Sequence, residues 1–125
     1  MIMNNAQPKS AKEIVSLYLQ GERHFSEVEI LDNEDFSNTN LEGVTFDKCW
    51  LSEMDFRNAQ LKGAIFRNCN VKCSDFRNAD LQDSNFYGSS VEAIYLEGAN
   101  LEGASFEGAW MYGCELGKGE MPTAW

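Results

Sequence analysis

The chain is poor in the residues that build most catalytic and metal centres. It holds one histidine, His24, in 125 residues, so a His-based triad or zinc site has almost nothing to work with. It has half as many basic as acidic residues, 10 against 20, and a formal net charge of -10. That balance argues against a basic footprint for DNA or RNA and against attraction to an anionic membrane surface. No stretch approaches the roughly 20 apolar residues of a membrane helix. Met1 to Leu19 lacks the basic start and unbroken apolar run of a secretory signal. The four cysteines, Cys49, Cys69, Cys73 and Cys114, are therefore expected to be reduced thiols of a cytoplasmic protein rather than a disulfide framework. Prolines number only two. What is plentiful is apolar residue, 43% of the chain, enough for one domain with a real core.

Those apolar residues follow a period of five. Starting at Phe36 and stepping by five, the chain reads Phe36, Leu41, Phe46, Leu51, Phe56, Leu61, Phe66, Val71, Phe76, Leu81, Phe86, Val91, Leu96, Leu101, Phe106, Met111 and Leu116. Every one is large and apolar, which at the chain's own apolar fraction has a chance on the order of one in a million. Two residues before each of these centres the side chain is usually small, as at Cys49, Ala59, Cys69, Ser74, Ala79, Ser89, Ala109 and Cys114. One residue before, Asp or Asn recurs, and two after, Gly recurs.

Five matches neither the 3.6 of a helix nor the 2 of a strand. A helix would smear the centres around its circumference. A coil with flat sides, each one pentad long, instead points every centre inward, with the small residue where the backbone turns and Asx or Gly capping that turn.

Runs such as Ala59-Gln60-Leu61-Lys62-Gly63, Ala79-Asp80-Leu81-Gln82-Asp83 and Ala99-Asn100-Leu101-Glu102-Gly103 closely resemble the A-(D/N)-L-x-x pattern of the pentapeptide-repeat family. The resemblance covers roughly residues 31–118 in an uninterrupted frame. It implies an all-β solenoid, a right-handed quadrilateral β-helix with four pentads per coil and so about four coils, about 20 Å long at strand spacing. Residues 20 apart then stack, giving columns headed by Phe36, Leu41, Phe46 and Leu51.

The chain divides into an N-terminal segment 1–30, the repeats 31–118 and a tail 119–125. Ser10 to Glu13 is a capping box, and Ser10 to Gln20 is predicted to be a helix stopped by Gly21. This short α-helix would cover the first coil, whose core and backbone edge would otherwise be bare; Phe25 and Ile30 would complete the join. At the other end, Met121, Pro122 and Trp125 either fold over the last coil or leave it to pair with a second copy as a homodimer.

Cys49 and Cys69 fall in the small inward slot one coil apart, and Cys114 in the same kind of slot. A slot that accepts Ala, Ser or Cys is the simpler account of them than a redox or metal pair. Cys73 points outward. Net charge comes in bands: +1 over 1–24, -8 over 25–55, +4 over 56–78 and -7 over 79–125. Arg57, Lys62, Arg67, Lys72 and Arg77 form a basic girdle in successive pentads. Glu92, Glu97, Glu102 and Glu107 form an acidic surface one coil later. Stacking places Glu42 by Lys62, Asp47 by Arg67, Lys72 by Glu92 and Arg77 by Glu97, a set of charge ladders.

No catalytic constellation, cofactor motif or metal set emerges, so no enzyme is expected. The expected role is protein–protein interaction or scaffolding with an unknown partner. The alternative comes from the resemblance alone, since part of the family protects type II topoisomerases such as gyrase by imitating DNA. The candidate contact residues are the outward aromatics Trp50, Tyr95, Trp110 and Tyr112, with Tyr87 on the same register, and Trp125 in the tail.

Overall fold

The computed structural model describes residues 7–31 and 33–122. Backbone geometry repeats every five residues. From Asn33 to Gly113 each fifth residue has positive φ, between +56° and +80°. This is the left-handed region that Gly enters freely and Asn tolerates, which is why Gly and Asn dominate that position. At Gly98 a Cβ would in addition meet Asn78 Oδ1, and the Asn78 side chain one coil below would have to move aside.

The Asx residues have an equally specific task. Asp35, Asn40, Asp55, Asn70, Asp75, Asp80, Asn85 and Asn100 each accept, through Oδ1, the backbone N–H two residues on, at 2.8–3.1 Å. The recurring acid or amide is thus turn chemistry.

Successive turns bring residues 20 apart into parallel pairing, as at Asp35↔Asp55, Gln60↔Asp80, Asn70↔Ser90 and Ser90↔Trp110. Three short strands make an extended parallel ladder: β1 (His24–Ser26), β2 (Thr45–Asp47) and β3 (Ile65–Arg67). The fold is of the β-helix type, with few strands and one helix among the described residues. Inside, phenyl rings stack in columns. Phe36, Phe56 and Phe76 stack at 4.8 and 4.9 Å. Phe25, Phe46, Phe66, Phe86 and Phe106 stack at 4.6–5.7 Å. The two columns meet edge to face, so Phe66 touches Phe56 and Phe76 at 5.8 Å each. Such rings prefer these arrangements on electrostatic grounds.

The helix α1 spans Ala11–Leu19 with Ser10 as its N-cap. Glu13 N–H donates to Ser10 Oγ at 3.1 Å, and Glu13 Oε1 accepts from Lys9 N–H at 2.8 Å. Ala11, Ile14 and Tyr18 are buried against the core. Tyr18 donates its hydroxyl to the Glu42 carbonyl at 2.7 Å, and the Ala11 N–H donates to Glu34 Oε1 at 2.8 Å. The helix therefore seals the N-terminal end, and Gly21, at φ +107°, ends it.

Phe25 and Ile30 are inward residues that pair one coil further along at a spacing of 21, Phe25 with Phe46 and Glu29 with Trp50. The spacing is 20 again by Asp35, which pairs with Asp55. One extra residue therefore lies between Glu29 and Asp35. It turns Leu31 outward, 77% exposed, while Ile30 is fully buried.

The C-terminal end departs from the expected frame. Tyr112 and Gly113 both have positive φ, +51° and +79°, the requirement of a two-residue type I′ hairpin turn. The chain reverses there, and β4 (Trp110–Met111) pairs antiparallel with β5 (Cys114–Glu115). Leu116 therefore does not stack on Leu96; its N–H donates to the Ala109 carbonyl at 2.8 Å. Cys114, expected in a buried slot, is exposed. Of the tail residues expected to fold over, Pro122 is buried and Met121 is exposed, and Trp125 lies outside the described residues.

Candidate functional site

The small inward slot is a structural device. Cys49 Sγ donates to the Phe25 carbonyl and Cys69 Sγ to the Phe46 carbonyl, both at 3.2 Å. Ser74 and Ser89 do the same to Leu51 and Phe66 at 2.8 and 2.6 Å. Cysteine here plays the part serine plays one coil on. The Cys49 thiol beside it and burial push the Cys69 thiol well above the usual range, so it stays protonated and unreactive. Cys73 and Cys114 are exposed. Among the described residues no group of three or more His, Cys, Asp or Glu could hold a metal ion, and no helix is long and apolar enough to cross a membrane.

The basic girdle is largely spoken for. Arg67 pairs with Asp47, and Lys72 with Glu92, each at 3.4 Å across one coil, as stacking predicts. Arg57 and Arg77 pair within their own pentads, with Asp55 at 2.8 Å and Asp75 at 2.6 Å, and Arg57 also reaches Asp75 one coil on at 3.9 Å. In extended backbone, residues two apart share a face, so the Asp-Phe-Arg runs at 55–57 and 75–77 close locally. That repeated run is the signal the ladder assignment overlooked. The bound guanidinium holds each of Asp55 and Asp75 below the usual carboxylate range. Arg77 also lies over the Tyr95 ring, 5.6 Å from its centroid. Among the described residues no ion pair joins Glu42 to Lys62 or Arg77 to Glu97.

The acidic set divides the same way. Glu92 is half-buried and held by Lys72, whereas Glu97, Glu102 and Glu107 are exposed and have no ion pair among the described residues. The expected aromatic contacts are all outward. Trp50, Tyr95, Trp110 and Tyr112 are 50%, 49%, 43% and 59% exposed, and Tyr87 is 56% exposed. Trp50 and Trp110 share one ladder, joined through Asn70 and Ser90. Tyr112 sits in the turn just past Trp110. Tyr95 stands apart, on the ladder of Asp35, Asp55 and Asp75.

The last coil, expected either to be covered by the tail or to be left to pair, has an open edge over part of its length. Elsewhere each centre donates its N–H to the coil above: Phe76 to Tyr95 and Leu81 to Asn100 at 2.8 Å, Phe86 to Ser105 at 3.0 Å. Among the described residues, the N–H groups of Leu96, Gly98, Leu101, Gly103 and Phe106 donate to no acceptor. The inward residues Ile94, Leu96, Ala99, Leu101 and Ala104 are only half-buried. The hairpin covers the Gly108–Met111 side and leaves this stretch open.

This geometry, a turn every five residues around an apolar core, defines a repeat solenoid. The pentapeptide repeat region profile matches residues 24–106, and the chain belongs to the pentapeptide-repeat family. Two solved structures share its fold. One is a pentapeptide repeat protein of the Arabidopsis thaliana thylakoid lumen, 33% identical with a TM-score of 0.58 over 65% of this chain. The present chain spans 60% of that protein's length. The other is a pentapeptide repeat protein from Nostoc PCC 7120, 28% identical with a TM-score of 0.52 over 93% of each chain. A plasmid-mediated fluoroquinolone resistance protein aligns at 20% identity over 69% of this chain and 64% of its own, with a TM-score of 0.42, too low to carry an argument. No curated protein matches the chain.

Proposed function

We propose that this chain is a non-enzymatic protein-interaction or scaffold module of the cytoplasm, contacting its partner through the C-terminal rim that carries Trp110 and Tyr112. The supporting observation is what the fold leaves unused. The Asx residues cap turns, the small slots bond to carbonyls and most of the basic girdle is ion-paired, while large aromatic rings remain exposed on a polar surface. Exposed Trp and Tyr are the residue types that anchor protein partners. We also infer the family's right-handed quadrilateral cross-section of about four coils, which the five-residue turn and 20-residue pairing support.

The test is affinity capture from a lysate of the source cells with the wild-type chain and the Trp110→Ser/Tyr112→Ser variant. The proposal expects captured proteins to be lost from the variant; a full set retained on it contradicts the assignment of the rim. The second reading, a topoisomerase-protecting DNA mimic, draws on the unpaired Glu97, Glu102 and Glu107. The basic belt at Arg57 to Arg77 interrupts the continuous negative surface such a mimic needs, so the first reading is preferred. Gyrase supercoiling unchanged at large molar excess of the chain would eliminate the mimic.

A further inference from the structure

We propose that the open edge of the last coil, residues 94–106, is the docking site for an extended segment of a protein partner in which Lys or Arg directly follows an apolar residue. This rests on the protein-interaction reading and specifies the chemistry of the partner. Three observations converge on it.

The first is the backbone. Unpaired N–H groups of Leu96, Gly98, Leu101 and Gly103 alternate along this edge with the carbonyls of Ile94, Ala99 and Ala104, which accept no backbone bond among the described residues. An open edge of this kind is a template for main-chain pairing with an added strand. The second is the floor. Leu96 and Leu101 are half-buried where their counterparts one coil back, Phe76 and Leu81, are fully buried. A further rung would complete their burial.

The third is charge. Glu97, Glu102 and Glu107 ring this end without ion pairs among the described residues, and in the sequence Lys118 is the only Lys or Arg after Arg77. The chain already shows what a matching rung looks like. Lys72 follows Val71 and reaches Glu92, one coil away at the same pentad position, at 3.4 Å. A segment laid on the edge with apolar residues over Leu96 and Leu101 would set its next residues over Glu97 and Glu102, where only a basic side chain complements them. A second copy of this chain would instead bring two such acidic rims together, so the geometry points to a basic partner segment over self-pairing.

The probe is a labelled synthetic peptide with the sequence of residues 59–68 (Ala59-Gln60-Leu61-Lys62-Gly63-Ala64-Ile65-Phe66-Arg67-Asn68), which has the required pattern. It is titrated against the full chain by fluorescence anisotropy. The proposal expects saturable binding that weakens with salt. It also expects about a tenfold loss when the peptide carries Lys62→Glu and Arg67→Glu, or when the chain carries E97Q, E102Q and E107Q together. On binding, the amides of Leu96, Gly98, Leu101 and Gly103 should gain hydrogen-exchange protection.

Absence of binding at millimolar peptide, equal binding of basic and acidic peptides, or protection elsewhere overturns the proposal. So does a concentration-dependent dimer that protects the same amides without peptide. If the peptide fails while the Trp110→Ser/Tyr112→Ser variant still loses captured proteins, the interaction reading stands and only this site is lost.

Discussion

The two ends of this solenoid solve the same physical problem in opposite ways. Any stack of coils ends in an apolar floor and a row of backbone groups with nothing to bond. At the N-terminal end the chain supplies α1. Ile14 and Tyr18 press onto the core, and Phe36, Leu41 and Phe46 beneath are fully buried. At the C-terminal end a type I′ hairpin covers one side only, and Leu96 and Leu101 stay half-exposed over an unpaired edge. One column of rings, Phe25 to Phe106, runs from the closed end to the open one; the open end adds the exposed Glu97, Glu102, Glu107 and Trp110. Stability and interaction are thus separated along the axis. Solenoid energetics, built from neighbour-to-neighbour terms, permit that separation.

The largest expected effect contrasts the interior with the open end. Phe66 touches four other rings, so Phe66→Ala should lower stability by about 3–5 kcal/mol. Leu101→Ala should cost less than about 2 kcal/mol, because much of its surface is already in water. Denaturant titrations giving equal losses would break the contrast. Next, Ile14→Ala should cost about 2–4 kcal/mol by leaving a cavity under α1, and the exposed end should not register it.

Within the slots, Ser89 Oγ both accepts from the Cys69 N–H at 2.9 Å and donates to the Phe66 carbonyl, whereas buried Ser84 Oγ has no partner among the described residues. Ser89→Ala is therefore expected to lose about 1–3 kcal/mol and Ser84→Ala to lie near zero or be slightly stabilising. Melting curves in which the two are equal would reject that accounting.

The smallest effect is on pH. Asp55 and Asp75 have folded pKa values lowered by Arg57 and Arg77. Their contribution is present above the ordinary Asp range of about 4 and is lost as pH falls through the lower folded values. Partial exposure keeps each pair within about 1 kcal/mol. Asp55→Asn with Asp75→Asn should flatten the acid side of the stability profile, measurable by melts between about pH 2 and 5.

How far the sequence carried this picture depended on whether a feature obeys the pentad frame. The inward columns, the Asx and Gly turns and the capping box at Ser10 were legible, because each is a local preference repeated many times. The hairpin was not. Leu116 and Cys114 sit in frame by spacing, and only the backbone conformation at Tyr112 separates one more pentad from a reversal. The extra residue near Leu31 was hidden because Ile30 and Leu31 are equally apolar, and tertiary pairing alone selects Ile30 for the core. Among charges, the period of 20 found the Arg67–Asp47 and Lys72–Glu92 pairs, and missed that Asp55 and Asp75 are nearer to Arg57 and Arg77 along the chain. The outward position of Trp50, Tyr95, Trp110 and Tyr112 followed from the frame. The open edge was legible only as one of two alternatives for the last coil, since it depends on where the frame stops.

Native-state hydrogen exchange on the chain alone tests the contrast between closed and open ends most directly. The amides of Phe76, Asn78, Leu81 and Asp83, each bonded to the coil above at 2.8–3.0 Å, should exchange slowly, near the global unfolding limit. Their counterparts one coil on, Leu96, Gly98, Leu101 and Gly103, should exchange at least about a hundredfold faster. Equal protection of the two sets would mean that the C-terminal edge is closed.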